Sequence, residues 1–222
     1  MTTKTLNISE EQLVDYSKAH NEPSWMTELR KKALKLTETL EMPKPDKTKL
    51  RKWDFDTFKQ HHTTGDAYTQ LTDLPKSVKE IIDVENSENL IIQHNNELAY
   101  TQVSDQAKHD GVIIEGLSEA LVNHSDLVQK YFMTKAVDVD EHRLTALHTA
   151  LVNGGIFVYV PKNTVVEHPI QYVVLHDDEQ ASFYNHVIIV TEESAEVTYV
   201  ENYLSTTSGE DNQLNIVSEV IA

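Results

Sequence analysis

The 222-residue chain contains no cysteine, which excludes a disulfide framework, a thiolate metal site and a cysteine nucleophile. Glycine is also scarce, because the chain has 6 glycines against about fifteen at average usage. The sequence has no glycine-rich dinucleotide loop, and no Gly-x-Ser-x-Gly motif that would support a serine nucleophile. We therefore expect no catalytic residue and no cofactor-binding or metal-binding residue in this chain.

Long apolar runs are absent as well. No window approaches the 18 consecutive apolar residues that a membrane-spanning helix needs. The first 20 residues are polar throughout and do not have the pattern of a secretory signal. Together with the missing cysteines, these features predict a cytoplasmic protein that does not enter a membrane.

Basic residues are few and unevenly placed. Residues 1–60 hold 12 Lys and Arg against 10 Asp and Glu, whereas residues 61–222 hold 7 against 26. With a formal net charge of -17, the chain is a poor match for nucleic acid, whose phosphates are held by Lys and Arg. The acidic surface either keeps the protein in solution or steers a basic partner toward it.

One stretch approaches a phosphate-binding loop without completing it. Gly111 and Gly116 have the required separation, and Ser118 follows two residues later. Leu117, however, stands where the lysine that holds the β- and γ-phosphates is needed. Val112-Ile113-Ile114, between the two glycines, predicts the interior of a strand, so we reject nucleotide binding here.

Two helices are predicted near the start of the chain. Ser9, with Gln12 three residues later, has the pattern of a capping box and predicts a first helix over residues 9–20. A second helix is expected to begin at Ser24 and to end before Pro43. Its apolar positions recur every three or four residues: Trp25, Leu29, Ala33, Leu36 and Leu40.

The middle of the chain mixes irregular and regular patterns. Residues 42–74 are charged and have no clear period, which predicts an irregular arm attached by Trp53, Phe55 and Phe58. Two strand-like runs at residues 89–94 and 97–103 flank Asn95-Asn96 and predict a hairpin, since Asn tolerates positive φ.

The segment before the long β region predicts a strand and two helices. The strand covers residues 111–117, and one helix follows from Ser118 to Phe132. The other helix runs from Asp140 to Leu151, with Gly154 closing it in the left-handed conformation.

The stretch from Asn153 to Leu204 holds four short runs rich in Val, Ile, Tyr and Phe, with no helical period. A fifth run spans Leu214 to Ile221. The centres of the first four runs are Val158, Val173, Ile188 and Thr198. This spacing is typical of a sandwich, a barrel or stacked rungs, and the lack of two-residue hairpin turns favours rungs.

Several segments together carry a family resemblance. They are Leu147-His148-Thr149-Ala150-Leu151, Gly155 to Lys162, Pro169-Ile170-Gln171, Glu196 to Glu201, Glu22-Pro23-Ser24-Trp25-Met26 with Arg30, Lys32, Ala33 and Leu34, and Lys52-Trp53-Asp54. They resemble the SufB/SufD family of iron–sulfur cluster assembly proteins. SufB proteins usually have a cysteine after the Tyr-Val-Glu of the last motif, whereas Asn202 stands there in this chain.

The resemblance implies a fold that is mainly β with helices. In the family the core is a right-handed parallel β-helix. We therefore expect a largely helical α/β domain over residues 1–150 and the first rungs of a β-helix over residues 151–222. The apolar run at the end of the sequence, with no cap or polar tail, suggests the amino-terminal half of such a protein.

The resemblance also implies a function, namely a non-catalytic scaffold subunit of an iron–sulfur cluster assembly complex. Its expected partners are SufB-like and SufC-like proteins, with docking regions in a carboxy-terminal half that is missing here. The complex would handle the iron–sulfur cluster and ATP on other subunits. An open end of the β-helix would further permit a homodimer through residues 214–221.

Two alternatives stay open. A β-helix can also carry a polysaccharide-active enzyme or a carbohydrate-binding module, but after Arg143 the chain has Lys162 as its only cation among many carboxylates. A metal site could be built from the histidines of the β region, which are His168, His176 and His186. They are 8 and 10 residues apart, and His61-His62 is an adjacent pair, so we expect ordinary structural or surface histidines.

Overall fold

A computed structural model of the chain describes residues 6–50, 53–59, 64–206 and 214–222. The helices are α1 (Glu10–Ala19), α2 (Ser24–Thr39), α3 (Lys76–Lys79), α4 (Asp105–His109), α5 (Leu117–Asn123), α6 (Ser125–Tyr131) and α7 (Arg143–Leu151). The strands are β1 (Asn89–His94), β2 (Glu97–Gln102), β3 (Ile113–Gly116), β4 (Gly154–Val160), β5 (Ile170–His176), β6 (Phe183–Thr191), β7 (Tyr199–Ser205) and β8 (Leu214–Ile221).

The strands form two four-stranded sheets. The first sheet has the order β2-β1-β5-β7, and the second sheet has the order β3-β4-β6-β8. Within the first sheet β1, β5 and β7 are parallel, as are β4, β6 and β8 within the second. The outermost strands β2 and β3 are antiparallel to their neighbours. The protein is therefore an α/β fold with two mixed sheets.

The right-handed parallel β-helix expected from the family resemblance is wrong for this structure. The two sheets remain separate, and each is mixed because a strand from residues 89–116 pairs antiparallel with the parallel strands. Evenly spaced strands without hairpin turns do predict parallel neighbours joined by crossovers. Two facing open sheets satisfy that pattern as well as a closed coil of rungs does, and spacing alone could not separate the two.

Apolar side chains separate the fold into layers. The inward faces of the two sheets pack together through residues such as Ile91, Ile156 and Val174. Helices α5 and α6 cover the outer face of the second sheet, where Phe157 and Ile188 are fully buried. The segment around α3 covers the outer face of the first sheet. The central strands β1, β4, β5 and β6 are thus buried on both faces, which explains why they are rich in apolar residues, whereas β2, β7 and β8 keep exposed positions.

The early helices follow the sequence pattern closely. The capping box at α1 is confirmed, since Gln12 N donates to Ser9 Oγ at 3.2 Å and Ser9 N donates to Gln12 Oε1 at 2.8 Å. The β1–β2 hairpin is also confirmed, and Asn95 has the positive φ of 55° that its turn requires. The second helix, α2, is present as predicted.

Other details differ from expectation. The single helix expected between Ser118 and Phe132 is split into α5 and α6 at His124. Gly154 does not close α7, because the helix ends at Leu151 and Gly154 already begins β4. In the arm, Phe58 is buried while Trp53 is 61% exposed, so only part of the expected aromatic attachment is made.

A buried ion pair fixes the helical layer. Glu22 and Arg30 form two hydrogen bonds, from Arg30 Nε at 2.9 Å and from Nη2 at 2.6 Å. Arg30 Nη1 also donates to the carbonyl oxygen of Ala150 in α7 at 3.0 Å. Burial by itself would raise the pKa of Glu22, but the adjacent guanidinium outweighs it, and the pKa is lowered. The pair therefore stays charged and holds α2 against α7.

The start of β4 lies unusually close to its neighbour. Gly155 has a φ of 142°, and a Cβ atom there would overlap the carbonyl oxygen of His186 in β6. Its N–H donates to Gln93 Oε1 at 3.0 Å. Only glycine combines this backbone conformation with so close an approach.

We expect the Gly155→Ala variant to lose on the order of 3 kcal/mol or more in free energy of unfolding, because strain and steric overlap add. The control is Gly111→Ala, which also has a positive φ but places its Cβ 3.8 Å from Pro161 Cγ and meets nothing closer. That variant should lose about 1 kcal/mol. Urea unfolding of the two variants measures the difference, and equal losses would contradict a special role for the close approach at Gly155.

Candidate functional site

Three features stand out as candidate functional regions. Two are buried polar clusters on opposite faces of β6, and the third is the exposed side of the strands β7 and β8. We call the cluster between the sheets the inter-sheet cluster, the one behind the second sheet the histidine network, and the exposed side the open edge.

The inter-sheet cluster consists of Gln93, Tyr172, Asn185 and Tyr203. Tyr172 Oη lies 2.6 Å from Gln93 Oε1 and 3.1 Å from Asn185 Oδ1. Asn185 Nδ2 donates to Tyr203 Oη at 3.1 Å. Because Tyr172 is fully buried, burial raises the pKa of its hydroxyl well above its ordinary value. The cluster is a neutral hydrogen-bonded chain inside an apolar space.

The histidine network consists of His148, His186, Asn215 and Glu219. His148 Nε2 lies 2.9 Å from His186 Nδ1, and His148 Nδ1 lies 2.7 Å from Asn215 Oδ1. His186 Nε2 lies 3.0 Å from Glu219 Oε1. Both histidines and Glu219 have 0% exposure, whereas Asn215 is half-buried at the end of the network.

Backbone groups complete the network at Glu219. Met133 N donates to Oε1 at 2.8 Å and Val137 N donates to Oε2 at 3.1 Å, both from the segment after α6. The ring of Phe132 packs on His186, with 4.5 Å between ring centroids. The network therefore joins four separate segments: α7, β6, β8 and the connection between α6 and α7.

The three histidines considered as a metal site do not meet. His168 Nδ1 lies 3.6 Å from Glu88 Oε2, and His176 Nε2 lies 2.8 Å from the carbonyl oxygen of Asp178. Only His186 belongs to the network. Across the part of the chain that the structure describes, no three His, Cys, Asp or Glu side chains are placed to hold a metal ion. His61-His62 lies outside the described residues.

A second histidine–carboxylate pair is structural. His94 Nε2 lies 2.8 Å from Asp177 Oδ2, and Asp66 N donates to His94 Nδ1 at 2.8 Å. Burial would raise the pKa of Asp177, but hydrogen bonds from His94 and Asn95 outweigh it and lower the pKa. Because both ring nitrogens of His94 already have partners, this imidazole has no free nitrogen with which to accept a substrate proton.

The open edge is the side on which the described sheets end. β7 and β8 are the last strands of the first and second sheets. Along β8, the side chains of the network alternate with side chains on the opposite face, and all four residues of that opposite face are exposed. Three of the four are apolar, with exposed fractions of 44% for Leu214, 39% for Ile216 and 63% for Val220. An apolar surface beside a strand edge is typical of an interaction site.

Comparison with known proteins places this chain in a family. Residues 9–172 match the family described as the SufBD protein N-terminal region. The chain belongs to the SufBD family. The resemblance inferred from the sequence motifs is thereby confirmed, and the matched SufBD region contains His148 and Tyr172 but ends before β6.

Relatives in the SufBD family extend the similarity along nearly the whole chain. The chain is 48% identical over 217 residues to the iron–sulfur cluster assembly protein SufD of Bacillus subtilis, covering 97% of this chain and 50% of that protein. It is 26% identical over 224 residues to a SufBD family protein of Staphylococcus epidermidis, covering 96% of this chain and 48% of the relative. A SufBD family protein of Pyrococcus horikoshii is 29% identical over 205 residues, covering 88% and 45%.

The chain thus spans about half the length of the curated SufBD relatives it matches. None of the helices in the described ranges is long and apolar enough to cross a membrane. The residues that sequence reasoning missed are His148 and Glu219 as partners of His186. The available signal was Glu219 itself, a single charge in an otherwise uncharged strand.

We expect the Tyr172→Phe variant to lose about 1 to 3 kcal/mol in free energy of unfolding, because Gln93 and Asn185 lose a partner in a buried space. Tyr199→Phe is the matched control. Its hydroxyl lies 3.0 Å from Glu201 Oε2 on the partly exposed strand β7, and its removal should cost less than about 1 kcal/mol. Denaturant unfolding measures the free energy of unfolding of both variants. A larger loss for Tyr199→Phe than for Tyr172→Phe would contradict the importance of the inter-sheet cluster.

Proposed function

We propose that this chain acts as a non-catalytic scaffold in iron–sulfur cluster assembly. The observation that carries the proposal is the match to the SufBD family over residues 9–172, together with 48% identity to SufD of Bacillus subtilis. The proposed role is to support assembly of the cluster on a complex, while cluster chemistry and ATP hydrolysis take place on other subunits. The proposed location is the cytoplasm.

The proposed partners are SufB-like and SufC-like proteins. Two features of the chain are compatible with a scaffold that uses its surface for contact. The open edge offers exposed apolar side chains on strands that end their sheets in the described part of the chain, and residues 61–222 have a strong excess of acidic side chains. The alternative of a polysaccharide-active enzyme or carbohydrate-binding module depended on a β-helix, and the two mixed sheets remove that basis.

A chimera tests the scaffold proposal. The half of Bacillus subtilis SufD that aligns with this chain is replaced by the 222 residues, and the chimera is expressed in cells that lack their own SufD. We expect the chimera to restore the activity of a cluster-dependent enzyme and to co-purify with SufB-like and SufC-like proteins. A chimera carrying Gly155→Ala should restore less, since its fold is weakened.

Two results would contradict the scaffold proposal. A folded chimera that neither restores enzyme activity nor co-purifies with these partners would show that the chain does not perform the proposed role. A stoichiometric iron–sulfur absorption band on the isolated chain after anaerobic reconstitution would contradict a scaffold that holds no cluster.

A separate proposal concerns the isolated 222-residue chain, which we expect to self-associate through β8, the last strand of the second sheet among the described residues. β8 has one charged residue, Glu219, and its side chain points away from the edge into the histidine network. Two copies could therefore pair their β8 edges about a two-fold axis without charge repulsion at the contact.

We expect the isolated chain to show a concentration-dependent increase in mass by light scattering. Val220→Lys should abolish the increase, because it places a charge on the exposed side of β8. The control Val122→Lys changes a residue of α5 that is 51% exposed and lies away from the edge, and it should leave association unchanged. A monomeric mass for the unmodified chain at high concentration would rule out pairing through β8.

A further inference from the structure

The histidine network lies directly behind β8, the last strand of the second sheet among the described residues. Asn215 and Glu219 both belong to β8, and His148 and His186 connect them through α7 and β6. We propose that this network is a switch, controlled by one proton, that holds β8 against the helical layer. We call the hydrogen bonds from Asn215 and Glu219 to the two histidines the latch. The inference concerns the strand and its protonation, and it does not depend on the proposed role in cluster assembly.

The hydrogen bonds at Glu219 determine which atoms donate and which accept along the histidine network. Its two oxygens accept from the backbone N–H groups of Met133 and Val137. A carboxylate also accepts readily from a third donor, which is His186 Nε2–H. When His186 is neutral, its Nδ1 has a lone pair and accepts from His148 Nε2–H. His148 Nδ1 then needs a donor.

The amide of Asn215 can complete the hydrogen bonds of the network in two orientations. If its amide presents Nδ2 to His148 Nδ1, every hydrogen bond is satisfied with both imidazoles neutral and Glu219 ionised. If the amide presents Oδ1, as it lies here at 2.7 Å, His148 Nδ1 must carry a hydrogen. The histidine network then holds one additional proton, shared between His148 and His186. The two patterns differ by one proton and by a half-turn of one amide.

Charged and titratable groups surround the network on several sides. Arg30 faces it from α2, Tyr184 lies beside His148 on β6 with 6.1 Å between ring centroids, and Glu219 faces it from β8. Burial lowers the pKa of His148 well below its ordinary value, and His186 and Arg30 act in the same direction, while the hydrogen bond to Asn215 opposes them. Burial also lowers the pKa of His186, although Glu219 opposes it.

The sign of the pH dependence follows from these directions. An imidazole whose pKa is lowered in the closed state binds its proton more readily when β8 opens and exposes it. The latch is therefore complete above the ordinary histidine pKa of about 6.5, and it weakens as pH falls below that value. Opening of β8 should increase about tenfold per pH unit for each imidazole that is protonated only in the open state.

Hydrogen exchange of the 222-residue chain between pH 7.5 and pH 5.5 tests the switch. After correction for the intrinsic pH dependence of exchange, the amides of β8 should lose protection about tenfold or more per pH unit below about pH 6.5. Amides of β4 and β5, which lie inside their sheets, should change less. Long-range proton–nitrogen spectra of the imidazoles should show both histidines neutral at pH 7.5 and one proton shared by the pair at low pH.

Two variants distinguish the switch from ordinary packing. Asn215→Asp replaces the amide with a carboxylate, which can only accept from His148. It should raise the pKa of the histidine pair and flatten the pH dependence of β8 exchange. The control His176→Gln removes a buried histidine that is outside the network and should leave that pH dependence unchanged.

The results that would overturn the proposal are equally specific. If β8 exchange does not depend on pH between 7.5 and 5.5, or if the two histidines titrate independently near pH 6.5, no switch exists. If Asn215→Asp and His176→Gln alter the pH dependence equally, the effect belongs to the fold as a whole and not to the network.

Discussion

The close approach of β4 to β6 at Gly154 and Gly155 lies between the two buried polar clusters and requires glycine at both positions. A side chain at Gly154 would meet the amide of Gln93 and the amide of Asn185, and one at Gly155 would meet the backbone of His186. Only Val152 and Asn153 separate the end of α7 from Gly154, so the close approach lies next to the point where the helical layer joins the second sheet. Both polar clusters are assembled around this point.

The position of β6 explains why the two clusters are neighbours yet do not mix. Adjacent residues of a strand point to opposite faces of the sheet. Asn185 therefore points between the sheets and joins Tyr172, while His186 points to the helices and joins His148. The inter-sheet cluster stays neutral and the network contains ionisable groups, because the peptide layer of the second sheet separates them. The buried ion pair of Glu22 and Arg30 lies on the helical side and adds no net charge there.

Local patterns predicted much of the local structure. The capping box, the Asn95-Asn96 hairpin and the five late strands were all visible because each depends on neighbouring residues. The family was visible because its motifs are spread along the chain. The predicted β-helix was wrong because the spacing of apolar runs along the sequence does not show whether the strands close into a coil or form two separate sheets. The histidine network was missed because its partners are 38, 33 and 67 residues apart, and grouping histidines by sequence joined His186 to the wrong neighbours.

The histidine network also explains how β8 keeps its register against β6. A buried ionisable cluster contributes little net stability compared with well-packed apolar side chains, but leaving one of its charges unpaired costs several kcal/mol. β8 has apolar residues on both faces, so a slip by two positions would keep its apolar pattern and would move Glu219 away from His186 and from the backbone donors at Met133 and Val137. Because that slip would bury an unpaired carboxylate, the lone charge in this strand selects one register out of several that hydrophobic burial would accept.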